Sequence, residues 1–203
     1  MAYLGTQPNN VKKNIGLYTP SEILQLTKDG SWGGSLELIA ESTFTGVTEV
    51  IFSDIKEDVY DVHYVELSDI QHTSANKFTF VQFYESGVLE SGSVYMYAQE
   101  YGQDNGTFGR VASTGNNYIY ITWANHGTLT GDNGGAYLYL YNLGDSSKFS
   151  QLTQQNVFMD NGVMKMGYGG GLLPQTSLVD GLRFSFNTAT TDGTIKIYGI
   201  KQI

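Results

Sequence analysis

The sequence predicts an all-β protein: a jelly-roll-like antiparallel β-sandwich with a short N-terminal arm and one short helix. Its 203 residues include 25 glycines, 15 tyrosines and 10 phenylalanines, but only 3 prolines. Charged residues make up 15%, against roughly 25% in an average soluble domain. Many aromatics and glycines with few charges describe half-buried strands joined by turns. From Leu36 onward, about ten short segments alternate between apolar and polar positions, which is the period of a strand.

The first part of the chain does not share this alternation. We predict an anchoring arm over residues 1–34 and the sandwich domain over residues 35–203. Within the arm, Thr19 is placed to cap a helix that begins at Pro20, and Glu22 completes a capping box. A helix of about two turns is not stable alone, so it must dock on its own domain or on a neighbouring subunit.

The strand patterns also predict which side chains form the core. In "LRFSF", Leu182, Phe184 and Phe186 point one way, and Arg183 and Ser185 point the other. Three further strands, "VYMYA", "YIYITW" and "AYLYLY", place aliphatic residues opposite tyrosines. The expected core side comprises Val94, Met96, Ala98, Ile119, Ile121, Trp123, Ala136, Leu138 and Leu140, and the opposing face comprises Tyr95, Tyr97, Tyr118, Tyr120, Tyr137, Tyr139 and Tyr141.

Three interpretations of this tyrosine face remain open. Tyrosine has a high strand propensity and tolerates a half-wet surface, so the face can be ordinary sheet surface. Tyrosine is also enriched at interfaces, so another subunit can cover it. Alternatively, the rings form a platform on which sugars stack.

The stretch "YDVHYVELSDI" raises the question of a catalytic or metal site. In a strand, alternate residues share a face, so Asp61 and His63 lie together and Glu66 lies on the opposite face. A general base also needs a nucleophile or metal partner, which the pattern does not supply. We interpret this stretch as a strand with charges at its rim. His72 and His126 are expected in loops without ligand spacing.

Other chemical motifs are not found in the sequence. The acidic stretch "SDIKEDVYD" lacks the EF-hand pattern, and we interpret it as a solvated turn. There is no phosphate-binding loop and no nucleophile elbow. The absence of cysteine excludes disulfides and cysteine-ligated zinc. We therefore expect no enzyme activity, cofactor or metal, although paired carboxylates of a polysaccharide hydrolase are not detectable from sequence because their pairing is spatial.

The charge balance bears on the partners. Lys and Arg total 11 and Asp and Glu total 20, which gives a net charge of −9 and argues against nucleic-acid binding. No signal-peptide pattern and no apolar run of roughly 18 residues is visible, so we expect neither cleaved export nor membrane insertion.

Several segments resemble virion structural proteins of tailed bacteriophages, of the type found in marine cyanobacterial phages. They are "MAYLGTQPN", "YDVHYVELSDI", "FYESGVLESGSVYMYA", "YLYLYNLGDSSKFS", "GGGLLPQTSLVDGLRFSF" and "IKIYGIKQI". The resemblance runs over nearly the whole chain and supplies no catalytic residues. It implies a virion protein made in the host bacterial cytoplasm.

The resemblance implies partners as well. We expect homo-oligomers that join major capsid or tail proteins, with a capsid decoration protein as the first hypothesis. The alternative is a tail or fibre component, which includes a carbohydrate-binding module that recognises the host surface. Docking of the arm loses chain entropy, which apolar contacts must offset. The expected arm anchors are Ile15, Leu17, Tyr18, Ile23, Leu24 and Leu26.

Overall fold

A computed structural model of the chain describes residues 19–28, 36–123, 126–129 and 131–200. The predicted anchors Ile15, Leu17 and Tyr18 lie outside the described residues, and so do the side chains of Ile23 and Leu26. Leu24 is described, and 55% of its surface is exposed. Contacts divide the chain between residues 35 and 36. The anchoring role of residues 1–34 stays a prediction.

The predicted helix is present as α1, Pro20–Lys28. Its capping box forms in both directions. The Thr19 N–H donates to the Glu22 carboxylate at 2.6 Å, and the Glu22 N–H donates to Thr19 Oγ1 at 3.3 Å. The hydrogen bond from the Thr19 backbone is the main reason why the pKa of Glu22 lies below its usual value. The sequence signal for this helix start is therefore confirmed.

The described residues from 36 to 200 form strands joined by turns. The strands are β1 (Leu36–Val47), β2 (Glu49–Phe52), β3 (Val62–His72), β4 (Phe80–Glu85), β5 (Val88–Leu89), β6 (Tyr95–Gln103), β7 (Phe108–Asn116), β8 (Ile119–Tyr120), β9 (Gly134–Tyr141), β10 (Phe149–Asp160), β11 (Val163–Thr176), β12 (Val179–Ser185) and β13 (Thr191–Ile200).

These strands build two antiparallel sheets. The large sheet has the order β1-β13-β3-β9-β10-β11-β6-β7. The small sheet has the order β2-β12-β4-β5, and β8 also pairs with β4. The consecutive pairs β1/β2, β3/β4, β8/β9 and β12/β13 each pass from one sheet to the other. The chain therefore wraps around a common core, and the predicted jelly-roll-like antiparallel sandwich is confirmed.

The core between the sheets contains most of the predicted side chains. Leu182, Phe184 and Phe186 are fully buried, as the alternation in "LRFSF" predicts. Ile119, Ile121, Leu138 and Leu140 are also fully buried, and Ala136 is 9% exposed. Removing this apolar surface from water stabilises the fold by roughly 25 cal/mol per Å².

The strand "VYMYA" is the exception, and its predicted core side is wrong. Tyr95 is fully buried and Tyr97 is 8% exposed, whereas Ala98 is exposed and Met96 is half-buried on the opposite side. The Tyr95 hydroxyl accepts a hydrogen bond from the Phe83 N–H at 2.8 Å and donates one to the Glu90 carbonyl at 3.1 Å. Because the hydroxyl is satisfied internally, the larger ring can occupy the core.

Side-chain amides also connect the two sheets. Gln99 and Gln154 donate to the Tyr120 carbonyl, the latter at 3.4 Å. Asn156 donates to the Ile121 carbonyl at 2.7 Å. All three amides lie on the inner face of the large sheet, and they bind the backbone at and just after β8.

A Tyr95→Phe substitution tests the role of the buried hydroxyl. We expect it to lower the free energy of unfolding by about 1–3 kcal/mol, because the buried Phe83 N–H loses its acceptor. Urea unfolding measures the change. Tyr141→Phe, on the outer surface of the large sheet, is the control and should change stability by less than about 0.5 kcal/mol. Equal effects of the two substitutions would contradict this assignment.

Candidate functional site

The outer face of the large sheet carries the most distinctive surface among the described residues. Strand register places one residue from each of the eight strands in a single line across this face. We call this line the central row. In order from β1 to β7, it consists of Leu38, Tyr198, Tyr64, Tyr139, Thr153, Gly170, Ala98 and Ala112.

Three of the four residues in one half of the central row are tyrosines. Tyr64 lies at the centre of what we call the tyrosine patch, which consists of Tyr64, Tyr137, Tyr139 and Tyr198. The ring centroids of the other three lie 6.3, 5.3 and 5.9 Å from that of Tyr64, in that order. Desolvation is the main cause that raises the pKa of Tyr64, and the neighbouring Glu66 charge adds to it. The tyrosine patch is thus a connected cluster of aromatic rings.

The other half of the central row consists of small residues and forms what we call the outer groove. Thr153, Gly170, Ala98 and Ala112 are its floor, and its volume is about 800 Å³. None of the described residues that line it carries a charge. One side of the groove is formed by Tyr141, Gln151, Leu172, Met96 and Thr114.

A charged row borders the outer groove on the opposite side. The Tyr168 hydroxyl donates to the Glu100 carboxylate at 2.6 Å, and Arg110 is the cross-strand neighbour of Glu100. The hydrogen bond to Glu100 is the main reason why the pKa of Tyr168 is raised. The groove therefore has an uncharged interior and a charged border.

The seven tyrosines predicted to share one face lie in three places. Tyr95 and Tyr97 are in the core. Tyr118 and Tyr120 pack with Phe78 and Phe80 beside the small sheet; the Tyr118 and Phe80 ring centroids are 4.3 Å apart. In contrast, Tyr137, Tyr139 and Tyr141 are on the outer face of the large sheet.

Two members of the tyrosine patch, Tyr64 and Tyr198, were not among the predicted residues. Both alternate with buried residues in their strands, so the period-two pattern marks them as outward-facing. Their proximity to β9 depends on strand pairing between distant parts of the chain, which a local pattern does not contain.

The stretch around His63 is a strand, as predicted, and the histidine itself is part of the core. His63 is fully buried on the inner face of β3 together with Val65. Its Nε2 lies 2.7 Å from the Ile55 carbonyl oxygen. Burial lowers the pKa of His63 more than this hydrogen bond raises it, so the ring is neutral at pH 7. It is a core histidine with a backbone partner.

The loop prediction for His72 is wrong, because His72 is the last residue of β3. His72 and His126 are both buried, and their ring centroids are 4.5 Å apart. His72 Nδ1 lies 2.7 Å from Thr191 Oγ1, and His126 Nε2 lies 3.0 Å from Thr122 Oγ1. His126 also stacks on Phe158, with a centroid distance of 4.4 Å. The pair connects segments of both sheets.

One carboxylate pair has opposite pKa shifts, which is the pattern of many acid–base pairs. Burial raises the pKa of Glu85, and a hydrogen bond from the Gly92 N–H lowers that of Glu90. The two groups are hydrogen-bonded to each other, which is closer than the roughly 5 Å between the carboxyls of a retaining glycosidase. Their other partners are Ser177 and Gln175, so the pair fastens β4 and β5 to β11.

The acidic stretch from Asp54 to Asp61 forms the connection between β2 and β3, with a turn at residues 57–59. Over the described ranges, no group of three or more His, Cys, Asp or Glu side chains is arranged to hold a metal ion. Over the same ranges, no helix is long and apolar enough to cross a membrane.

Comparisons with known proteins give only weak similarities. No protein-family model matches the chain, and no curated protein sequence matches it. A human SPRY domain is 6% identical with a TM-score of 0.37, over 82% of this chain and 97% of that one. The CBM2 module of an evolved Dit of Lactobacillus casei BL23 phage J-1 is 9% identical with a TM-score of 0.23, over 84% and 81%.

A third solved structure, a fructofuranosidase of Schwanniomyces occidentalis, is 9% identical with a TM-score of 0.19. That alignment covers 85% of this chain and 35% of the enzyme. Similarities this weak carry no argument about function.

The buried histidine pair predicts a loss of stability in acid. Burial lowers the pKa of His72 to about 4 and that of His126 well below 6.5. The unfolded chain therefore binds more protons, and the stability present above pH 6.5 is lost as the pH falls towards the folded pKa values. For His72 this loss is about 3 kcal/mol between pH 7 and pH 4.

Urea unfolding at pH 7 and pH 4.5 measures this loss. Carboxylates also titrate in this range, so the comparison is with the variant His72→Gln/His126→Gln. The difference in unfolding free energy between the two pH values should be smaller in the variant. If both proteins lose the same stability between the two pH values, the histidines do not cause the effect.

Proposed function

We propose that this chain is a non-enzymatic structural protein of a tailed-phage virion, a capsid decoration protein that associates with further copies of itself. The tyrosine patch is the observation that carries the assembly part of this proposal. The sequence resemblance to virion structural proteins motivates the place in the particle.

The chemistry of the patch favours contact with protein. Tyr137 is 39% exposed, and the remaining rings of the patch are half-buried, so the surface is aromatic without being sealed in the core. Tyrosines are enriched at the centres of interfaces, because a rigid ring buries a large area at a small cost in conformational entropy. A second copy that covers these rings removes them from water.

Charges lie beside the patch rather than within it. Glu66 neighbours Tyr137 across the strands, and Lys196 forms an ion pair with Glu41 at 3.7 Å. An aromatic centre with a polar rim is the usual anatomy of a protein interface. The rim charges would orient the partner and contribute little affinity.

The predicted arm over residues 1–34 remains part of this proposal. Its apolar residues would attach the protein to the major capsid proteins, while the tyrosine patch would join neighbouring copies. Removal of residues 1–34 should therefore reduce occupancy on particles without unfolding the sandwich.

The copy number of this protein in purified particles, measured by mass spectrometry, tests the place in the virion. Hundreds of copies per particle would support a capsid decoration protein. A few to a few dozen copies would support a tail or fibre component instead. Complete absence from particles would contradict the virion proposal.

A Tyr137→Lys substitution tests the interface. A lysine within a covered aromatic patch is left without a partner, so we expect self-association and incorporation into particles to fall by about tenfold or more. Val88→Lys is the matched control, because Val88 is 69% exposed on the small sheet. Sedimentation measures self-association, and thermal melting confirms that both variants are folded. Equal incorporation of the two variants would exclude the tyrosine patch as the contact.

A further inference from the structure

We propose that the outer groove binds an uncharged oligosaccharide. This site is formed by the small-residue half of the central row and is separate from the tyrosine patch used for assembly. The sugar-binding proposal depends only on the groove, and it applies equally to a decoration protein and to a tail component.

The dimensions of the groove suit a linear ligand. Its floor crosses β10, β11, β6 and β7 at right angles to the strands. Neighbouring strands are about 4.8 Å apart, so the floor extends for about 14 Å between the first and the fourth strand. At the β7 end it reaches the edge of the sheet. A short oligosaccharide fits along it, and a longer chain can leave at the open end.

Small side chains on the floor are not all required by the fold. A Cβ on Gly170 would lie 2.9 Å from the Leu152 carbonyl oxygen, so close backbone packing explains this glycine. Ala98 and Ala112, in contrast, are exposed on the outer face, where a larger side chain would meet solvent. Alanine has a low strand propensity, so neither packing nor propensity accounts for these two residues. A ligand that lies against the floor would account for their small size.

The lining matches the chemistry of a neutral sugar. Gln151, Thr153 and Thr114 offer amide and hydroxyl groups that both donate and accept hydrogen bonds. Tyr141 and Leu172 supply apolar surface for the faces of sugar rings. No charged side chain among the described lining residues would favour an acidic or basic ligand, and the net charge of −9 disfavours an acidic polymer.

A peptide fits this lining less well. The backbone groups of β10, β11 and β6 are already paired on both sides within the antiparallel ladders, so an extended peptide would find no main-chain partners over these three strands of the floor. An apolar helix would bury the amide of Gln151 and the hydroxyl of Thr153 without hydrogen bonds, which costs free energy. Sugar hydroxyls satisfy both side chains.

The experiment uses the full chain on an array of neutral and acidic oligosaccharides, followed by calorimetric titration with the neutral hexasaccharide that gives the strongest signal. Maltohexaose, cellohexaose and a hexamer of galacturonic acid are included as defined probes. The proposal expects binding to at least one neutral oligosaccharide and none to the galacturonic acid hexamer.

Two variants fill the groove. We expect Ala98→Phe and Ala112→Phe each to weaken the binding by at least about tenfold, because a phenyl ring on the floor occupies the space of the ligand. Ala75→Phe is the matched control, since Ala75 is also exposed but lies in the connection between β3 and β4. The control should bind the oligosaccharide as the unmodified protein does.

Several results would overturn the proposal. A blank array would do so, as would binding only to acidic glycans or binding that both floor variants retain. If the array is blank and a protein of the particle binds the groove in a way that Ala98→Phe and Ala112→Phe abolish, the ligand of the groove is a protein instead. Incorporation into particles is measured in parallel, and its retention in Ala98→Phe separates a failure of the groove from a failure of the assembly role.

Discussion

The antiparallel register of the large sheet is the constraint on which its outer surface depends. The central row exists because residues far apart in the chain, such as Tyr64 and Tyr198, are opposite one another across paired strands. A slip of one residue would turn every side chain of a strand to the other face. Core residues such as Val65 and Leu138 resist this slip because it would expose them to water. The core thus fixes the register, and the register in turn creates both the tyrosine patch and the outer groove.

Hydrogen bonding decides which aromatic and polar side chains the core accepts. Tyr95 is buried because its hydroxyl has two backbone partners, and Gln99 and Asn156 are buried because their amides bind carbonyl groups of the opposite sheet. The same rule applies to the histidines, each of which has a ring nitrogen close to an oxygen atom. These polar links hold the sheets in one relative position, whereas apolar packing alone tolerates several arrangements.

Local patterns predicted what is local in the structure. A short motif predicted the capping box at Thr19. Period-two alternation predicted the outward tyrosines of β9 and the buried side of β12. Periodicity separates the two faces of a strand but does not say which face is buried, and for this reason the predicted core side of β6 was wrong. There the larger ring of Tyr95, with its hydroxyl hydrogen-bonded internally, occupies the core in place of Met96. The same limit explains the histidines: His72 and His126 are 54 positions apart, and only the wrapping of the chain brings their rings together. The outer groove was missed for a similar reason, since its floor takes one small residue from each of four strands.

The two halves of the central row are close enough to influence each other. A protein interface of standard size covers about 800 Å² on each partner, or roughly 28 Å across if it is square. The four strands of the tyrosine half extend over only about 14 Å from the first to the last strand, so a partner centred there also covers the border at Tyr139 and Tyr141. Because Tyr141 forms a side of the outer groove, a ligand in the groove and a partner on the patch contact adjacent rings. If the proposed partner and the proposed ligand influence each other through these rings, each must change the affinity for the other by the same factor.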